Sequence, residues 1–210
     1  MVKIDDFHEA FTKAEEEIHF AEMAIGGLSS DEDDACVSKS QPRGVVIPAI
    51  NELRYAAKHL SKALKAREDE SQINEQLQRA IRHCIRSRLD ALKAVILFLS
   101  RHFFSFTGDY KRLNVPEEDR KILNSHRQRI WDILNSLARH HAEDTDAECE
   151  QMREAIEELC KIYVDVEGRR GAYNVLLEKM NRHDKTTLWQ CIAGIAFALL
   201  LFFITLFFTK

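Results

Sequence analysis

The sequence predicts an all-α protein: a cytoplasmic bundle of about five helices, followed by one C-terminal transmembrane helix. Glycine and proline are scarce, with seven and three in 210 residues, which argues against the frequent turns of sandwiches and barrels. Charged residues make up 30% of the chain, above the ~25% of an average protein. Residues 188–208 nevertheless contain none of them. The chain is therefore a polar helical body with an apolar end.

The first helix is predicted from Ile4 to Ile25. Its apolar residues recur at spacings of three and four, which places them on one helical face. Gly26 and Gly27 end it. The segment from residue 29 to 44 is acidic and contains several residues typical of turns, and we expect a mobile loop there.

The second and third helices are predicted to begin near Pro48 and near Ser71. The second carries an apolar seam at spacings of three and four, formed by Ile50, Leu53, Ala57, Leu60 and Leu64. The third continues without glycine or proline to Gly108. Arg88 interrupts its apolar stripe, which predicts either a partner for the arginine or a rotation of the buried face.

The fourth helix is predicted to begin at Pro116, because proline fits a first helical turn and three acidic residues follow it. The fifth is predicted from about Asp146. Gly168 and Gly171 predict a bend or hinge before a further helical stretch. Heptad-like apolar spacing on consecutive helices favours a bundle over a single coiled coil. We therefore expect a bundle over 1–167 and a hinge with a juxtamembrane helix over 168–187.

Residues 188–208 predict a single transmembrane span. A helix of 21 residues is about 31 Å long, which matches a hydrocarbon core of ~30 Å. Only Gln190, Gly194 and Thr205 lie outside the apolar class. The alternative interpretation, a buried core helix of a soluble protein, fits poorly because phenylalanines make this helix apolar all round. We therefore expect a single-pass membrane protein that contacts lipid.

The charges beside the predicted span indicate its orientation. Lys179, Arg182 and Lys185 precede it, and Lys210 alone follows it. The larger number of basic residues on the N-terminal side predicts a cytoplasmic body, and these side chains can contact anionic headgroups. Five scattered cysteines without a CxxC pair are typical of a reducing compartment.

The small and polar residues of the predicted span share one face. Gln190, Gly194, Ala198 and Thr205 recur near one side of the helix, and Gly194 with Ala198 forms a small-xxx-small pair that allows close helix approach. A glutamine in hydrocarbon favours a polar partner. This face predicts a homo-oligomer, although a plain anchor can carry the same residues.

Helices two and three carry a family resemblance. The segments ELRYAAKHL (52–60), QRAIRH (78–83) and RLDA (88–91) resemble HEPN-like helical domains of prokaryotic antiviral defence systems. The resemblance implies a compact helical bundle, and many members of that family are ribonucleases in which four to six residues separate an arginine from a following histidine. The architecture also resembles membrane-anchored helical effectors that accompany RNA-guided nucleases and form oligomeric pores.

Two segments have the arginine–histidine spacing: Arg54 with His59, and Arg120 with His126. In a ribonuclease the histidine acts as general acid or base and the arginine holds the scissile phosphate. Chance produces such spacings in a chain with nine histidines, so the spacing alone does not choose between the two. RNA is thus a weaker candidate partner than lipid.

Cofactor and metal sites are not predicted. The chain has neither GxxxxGK[ST] nor GxGxxG. Glu16 with His19 is a single Glu-x-x-His where a di-iron bundle needs two, and His140 and His141 point in different directions on a helix. We expect no cofactor and no metal.

The function that these features favour is a membrane-anchored helical effector. It would oligomerise at the inner membrane, in prokaryotic antiviral defence, and perturb or permeabilise the bilayer when a protein partner triggers it. One alternative is a tail-anchored, metal-independent ribonuclease of the HEPN type. The other is a non-enzymatic tail-anchored adaptor or tether.

Overall fold

The computed structural model describes residues 2–27, 45–66, 69–139 and 145–208, and their side chains except those of 139, 184 and 196–208. The described residues form an all-α bundle of five helices. Their bounds are α1 Ile4–Gly26, α2 Ile47–Lys65, α3 Glu70–Asp109, α4 Glu117–Arg139 and α5 Thr145–Phe208. The predicted loop at 29–44 lies outside the described residues.

Local signals set the starts of the helices where the sequence predicts them. Before α3, the Asp69 side chain accepts a hydrogen bond from the Gln72 backbone N–H at 3.0 Å, as an N-cap does. Pro48 occupies the first turn of α2. The Arg120 backbone N–H donates to the Pro116 carbonyl at 3.0 Å, which begins α4. The predicted start of each of these helices is confirmed to within one residue.

Helix α3 is the centre of the bundle and packs against α1, α2 and α5. Its N-terminal half meets α1 and α2 in a small core built largely from alanines, with one phenylalanine. Its C-terminal half meets α4 and α5 in a larger core of aliphatic and aromatic side chains. The fully buried Phe106 and Tyr173 lie in that larger core, with ring centroids 5.7 Å apart.

The buried face of α2 differs from the predicted seam. The structure buries Ala49, Ala56 and Ala63, whereas Ile50 and Leu64 are exposed. Short side chains let α2 lie close to its neighbours, so the alanines take the centre of the contact. The predicted seam was therefore right at Leu53 and Leu60, which are half-buried and pack against this core, and wrong by one position at Ile50, Ala57 and Leu64.

Arg88 has partners inside the bundle. Its side chain is 9% exposed and binds Asp146 at 2.5 Å and Glu17 at 3.6 Å. Arg153 also donates to Glu17, at 2.9 Å. These ion pairs connect α1, α3 and α5, so the interruption of the apolar stripe reflects a paired arginine.

Helix α5 continues through the predicted hinge. Gly168 and Gly171 lie inside the helix, which is unbroken from Thr145 to Phe208. Val166 and Tyr173 are buried on either side of these glycines and hold the helix against the bundle. The glycines therefore do not interrupt the helix, and a hinge motion there stays a prediction.

The C-terminal part of α5 leaves the bundle. From Asn181 to Ile195 every described side chain is exposed. Within the described side chains, which end at Ile195 on this helix, no helix contains a stretch long and apolar enough to cross a membrane. The predicted span at 188–208 extends over side chains that lie outside the described residues, so the span stays a prediction.

Candidate functional sites

A pair of stacked histidines lies between α2 and α3. The rings of His59 and His83 are nearly parallel, with an interplanar angle of 14° and centroids 5.2 Å apart. The Nδ1 atom of His59 lies 2.8 Å from Gln76 Oε1, and Nδ1 of His83 lies 2.7 Å from Glu52 Oε2. We refer to His59 and His83 as the histidine pair; both are half-buried.

The partners of the histidine pair assign its protons. A carboxylate oxygen and an amide carbonyl oxygen accept hydrogen bonds, so Nδ1 of each ring is the nitrogen that carries the proton. This leaves Nε2 of each neutral ring as the basic nitrogen. Two imidazoles in this tautomer are suited to acid–base work on a substrate that reaches the α2–α3 surface.

Exposed arginines lie on the same two helices as the histidine pair. Arg54 lies on α2, and Arg79, Arg82 and Arg86 lie on α3. Arg79 pairs with Glu75 one turn away on the same helix. Guanidinium groups bind phosphate oxygens, so this surface offers anion contacts next to the two imidazoles. Arg54 and His59 lie on one helix, as the sequence predicts, and their catalytic pairing stays a prediction. The sequence does not indicate His83 as the stacking partner of His59.

The second predicted pair, Arg120 and His126, lies on α4 and binds different partners. Arg120 is exposed and donates to Asn114 at 3.3 Å. His126 Nε2 lies 3.0 Å from Asp165 on α5. Arg169 also binds Asp165, at 3.1 Å, and pairs with Asp119 of α4. The hydrogen bond from Arg169, more than that from His126, lowers the pKa of Asp165.

These contacts join α4 to α5. We refer to Asp119, His126, Asp165 and Arg169 as the Arg169 bridge. His126 is paired with a carboxylate, that of Asp165, to which Arg169 also binds. An imidazole held in this way is better suited to joining two helices than to transferring a proton. The structure therefore favours His59 over His126 as a chemically available histidine.

A third histidine site, absent from the sequence-based predictions, joins α3 to α5. His102 Nε2 lies 2.5 Å from Glu167, and Arg170 binds the same carboxylate through two hydrogen bonds of 2.7 and 2.8 Å. Burial favours a raised pKa for Glu167, but the bonds from His102 and Arg170 outweigh it and lower that pKa to about 2. We refer to His102, Glu167 and Arg170 as the glutamate clamp.

Among the described residues, the remaining cysteines and possible metal ligands do not form a recognisable site. Burial raises the pKa of the Cys84 and Cys149 thiols to about 11, so both stay protonated near neutral pH. Among the residues that the structure describes, no cluster of three or more His, Cys, Asp and Glu side chains has the geometry of a metal site. His140 and His141 lie outside the described residues.

The predicted membrane-side residues lie on the free part of α5. Gln190 and Gly194 are exposed, and so are the basic residues Lys179, Arg182 and Lys185. The side chains of Ala198 and Thr205 lie outside the described residues. The structure thus places the first half of the predicted interface on a helix surface that the bundle does not cover.

Comparisons of the chain with known protein families, with curated proteins and with solved structures find no match.

Proposed function

We propose that this protein is a membrane-anchored helical effector that works by self-assembly at the inner membrane. One observation carries the proposal: the uncharged stretch 188–208 continues the helix that begins inside the bundle. A helix that leaves a polar body and carries an apolar end is the simplest arrangement for anchoring in a bilayer.

Exposed apolar side chains support the proposal. Leu188, Trp189, Ile192 and Ile195 are 59%, 70%, 46% and 63% exposed, and they follow one another on the part of α5 that has left the bundle. Burying apolar area is worth about 25 cal/mol per Å², so a lipid core gains free energy by covering them. A tryptophan at the start of such a stretch fits the interface region.

The basic residues support the same placement. Lys179, Arg182 and Lys185 are exposed one to three turns before the apolar stretch. Near an anionic surface each contributes about 1 kcal/mol. The resemblance of helices two and three then suggests the setting, which is prokaryotic antiviral defence with a triggering protein partner. In that setting assembly through Gln190, Gly194, Ala198 and Thr205 would perturb or permeabilise the bilayer.

Deleting residues 188–210 tests the proposal. We expect the full-length protein in the membrane fraction and the deleted protein in the soluble fraction, with the helical content of the bundle retained in circular dichroism. Full-length protein should release dye from liposomes, and the deleted protein should not. A deletion of residues 209–210 alone is the matched control and should behave as the full chain.

Two results would contradict the proposal. Full-length protein in the soluble fraction would exclude the anchor. Membrane-bound protein that releases no dye would exclude permeabilisation and favour the adaptor or tether.

A second candidate function is a tail-anchored ribonuclease, which the geometry of the histidine pair favours. Two stacked imidazoles with assigned basic Nε2 atoms lie on the same two helices as the exposed Arg54 and the exposed arginines of α3. Acid–base cleavage of RNA needs this combination of imidazole and guanidinium. Under this alternative the catalytic residues are His59 and Arg54, with Glu52 and Gln76 orienting the rings.

Replacing His59 by alanine tests the ribonuclease. A ribonuclease at this site should lose cleavage of single-stranded RNA by about 10²-fold or more, with the protein still folded. His126→Ala is the matched control and should leave cleavage unchanged. Equal cleavage by native protein and His59→Ala would exclude the histidine pair as an active site.

A further inference from the structure

One face of α5 is exposed along the bundle. Val164, Gly168, Gly171 and Val175 follow one another at spacings of four, three and four, so they share this face. All four are exposed, and the two valines are 63% and 54% exposed. A Cβ atom added to either glycine meets no atom within 4 Å. Packing among the described residues therefore gives no reason for glycine at these positions.

Two glycines in the middle of a helix are costly. Each destabilises a helix interior by about 1 kcal/mol relative to alanine, and yet α5 is unbroken here. Glycine permits the close approach of another backbone. The flat surface between two exposed valines fits a second helix that crosses or lies along this face.

The charges beyond the valines show which helix fits. The same face continues to Lys161 on one side and Glu178 on the other, and then to Glu157 and Arg182, all four exposed. Each pair is equidistant from the midpoint between residues 169 and 170, and the two members have opposite charge. A copy of this face turned end to end therefore meets opposite charge at each position.

The mirror pattern extends one step further. Glu154 and Lys185 are again exposed, equidistant from the midpoint and opposite in charge. The face is thus acidic toward its N-terminal end and basic toward its C-terminal end, apart from Lys161 and Glu178, which are exchanged in the same mirrored way. Its apolar centre has no charge.

We propose that this face binds the α5 helix of a second copy of the chain, antiparallel, about a two-fold axis at residues 169–170. In this dimer Val164 of one copy lies beside Val175 of the other, and the glycines let the two backbones approach. Such an interface is isologous, so every contact occurs twice. A parallel pair would place Lys161 against Lys161 and Arg182 against Arg182, and like charges in contact destabilise a pair.

The antiparallel arrangement has a consequence for the C-terminal ends. Residue 188 lies the same number of residues beyond the midpoint in each copy, so at 1.5 Å per residue the two are roughly 55 Å apart, at opposite ends of the dimer. This contact therefore differs from one between the apolar stretches of two copies in one membrane. Two copies anchored in the same bilayer through residues 188–208 could not form it, so the dimer is a contact between chains that do not share one membrane.

Charge reversal tests the dimer. The variants Lys161→Glu and Glu178→Lys each place like charges together twice, whereas an equimolar mixture of the two restores opposite charges at both contacts. We expect each variant alone to raise the concentration of half-dissociation by about tenfold or more, and the mixture to return to the native value. The measurement is light-scattering mass of the full chain in detergent across a dilution series. Lys121→Glu, an exposed reversal on α4, is the matched control and should leave the mass unchanged.

Each result decides the proposal. A weaker dimer in both single variants, with native dimer stability restored in the mixture, supports the antiparallel contact. Native mass in both variants overturns it, because a parallel pair or another interface is insensitive to these reversals. A weaker dimer in both variants that is not restored in the mixture also overturns it. So does a native chain that is monomeric across the dilution series. The deletion of residues 188–210 tests anchoring separately, through membrane fractionation and dye release.

Discussion

The histidine pair and the glutamate clamp both contain a contact between a histidine and a glutamate, but the two contacts have different roles. In the pair, Glu52 binds His83 and, among the described residues, no arginine. In the clamp, Arg170 binds the carboxylate that His102 also binds. The first carboxylate binds an imidazole and no guanidinium among the described residues, and the second is shared between an imidazole and a guanidinium.

The contrast between the two sites distinguishes histidines with a structural role from histidines placed for acid–base chemistry. A histidine–carboxylate contact closed by arginine holds two helices together, as the Arg169 bridge also does between α4 and α5. In the part of the chain that the structure describes, the same contact without an arginine leaves the carboxylate bound to the imidazole alone. Spacing in the sequence does not distinguish the two, since Arg120 and His126 match the motif as well as Arg54 and His59 do.

The largest effect is expected from Glu167→Gln. The pKa of Glu167 falls from 4.5 to about 2 on folding, and each pKa unit is worth 1.36 kcal/mol, so the charged clamp contributes about 3 kcal/mol. Because the folded-state pKa is depressed, this contribution is present above pH 4.5 and is lost as the pH falls toward 2. Urea unfolding at pH 7 should show a loss of about 2–3 kcal/mol, and the variant's stability should fall less steeply between pH 4.5 and 2.

Glu52→Gln is the matched change in the histidine pair. The amide oxygen can still accept the hydrogen bond from His83, and no arginine loses its partner. We expect a loss below about 1 kcal/mol. Equal losses in the two variants would contradict the distinction between an open contact and a closed one.

A smaller effect is expected from Arg169→Met. Asp119 and Asp165 lose a guanidinium that binds both, and the pKa of Asp165 should rise toward its ordinary value, which NMR titration can follow. The side chain is 25% exposed, so we expect a loss of about 1–2 kcal/mol in urea unfolding, between surface and buried ion pairs. Arg79→Met removes an exposed pair within one helix and should cost about 0.5 kcal/mol or less; the same cost for both would contradict a structural role for the bridge.

Local signals made much of the fold predictable. The starts of α2, α3 and α4 depend on Pro48, Asp69 and Pro116, each of which acts within one turn of itself. Arg88 interrupts the apolar stripe of α3, which indicated from the sequence a paired arginine or a rotated face. The sequence could not identify its partners, because Glu17 and Asp146 are far from Arg88 in the chain. For the same reason the sequence indicated His59 and missed His83, because stacking between α2 and α3 depends on how those helices pack.

The length of α5 sets a distance. Met180 is the last residue of α5 that packs against the core, and the apolar stretch begins at Leu188, so at 1.5 Å per residue the bundle ends roughly 12 Å before the apolar stretch. The screening length in physiological salt is about 8 Å. Under the proposed anchoring, a body of net negative charge would stand more than one screening length from anionic lipid, which weakens the repulsion between them. The exposed segment of α5 would then act as an electrostatic spacer, and lengthening or shortening it by whole turns would change that repulsion.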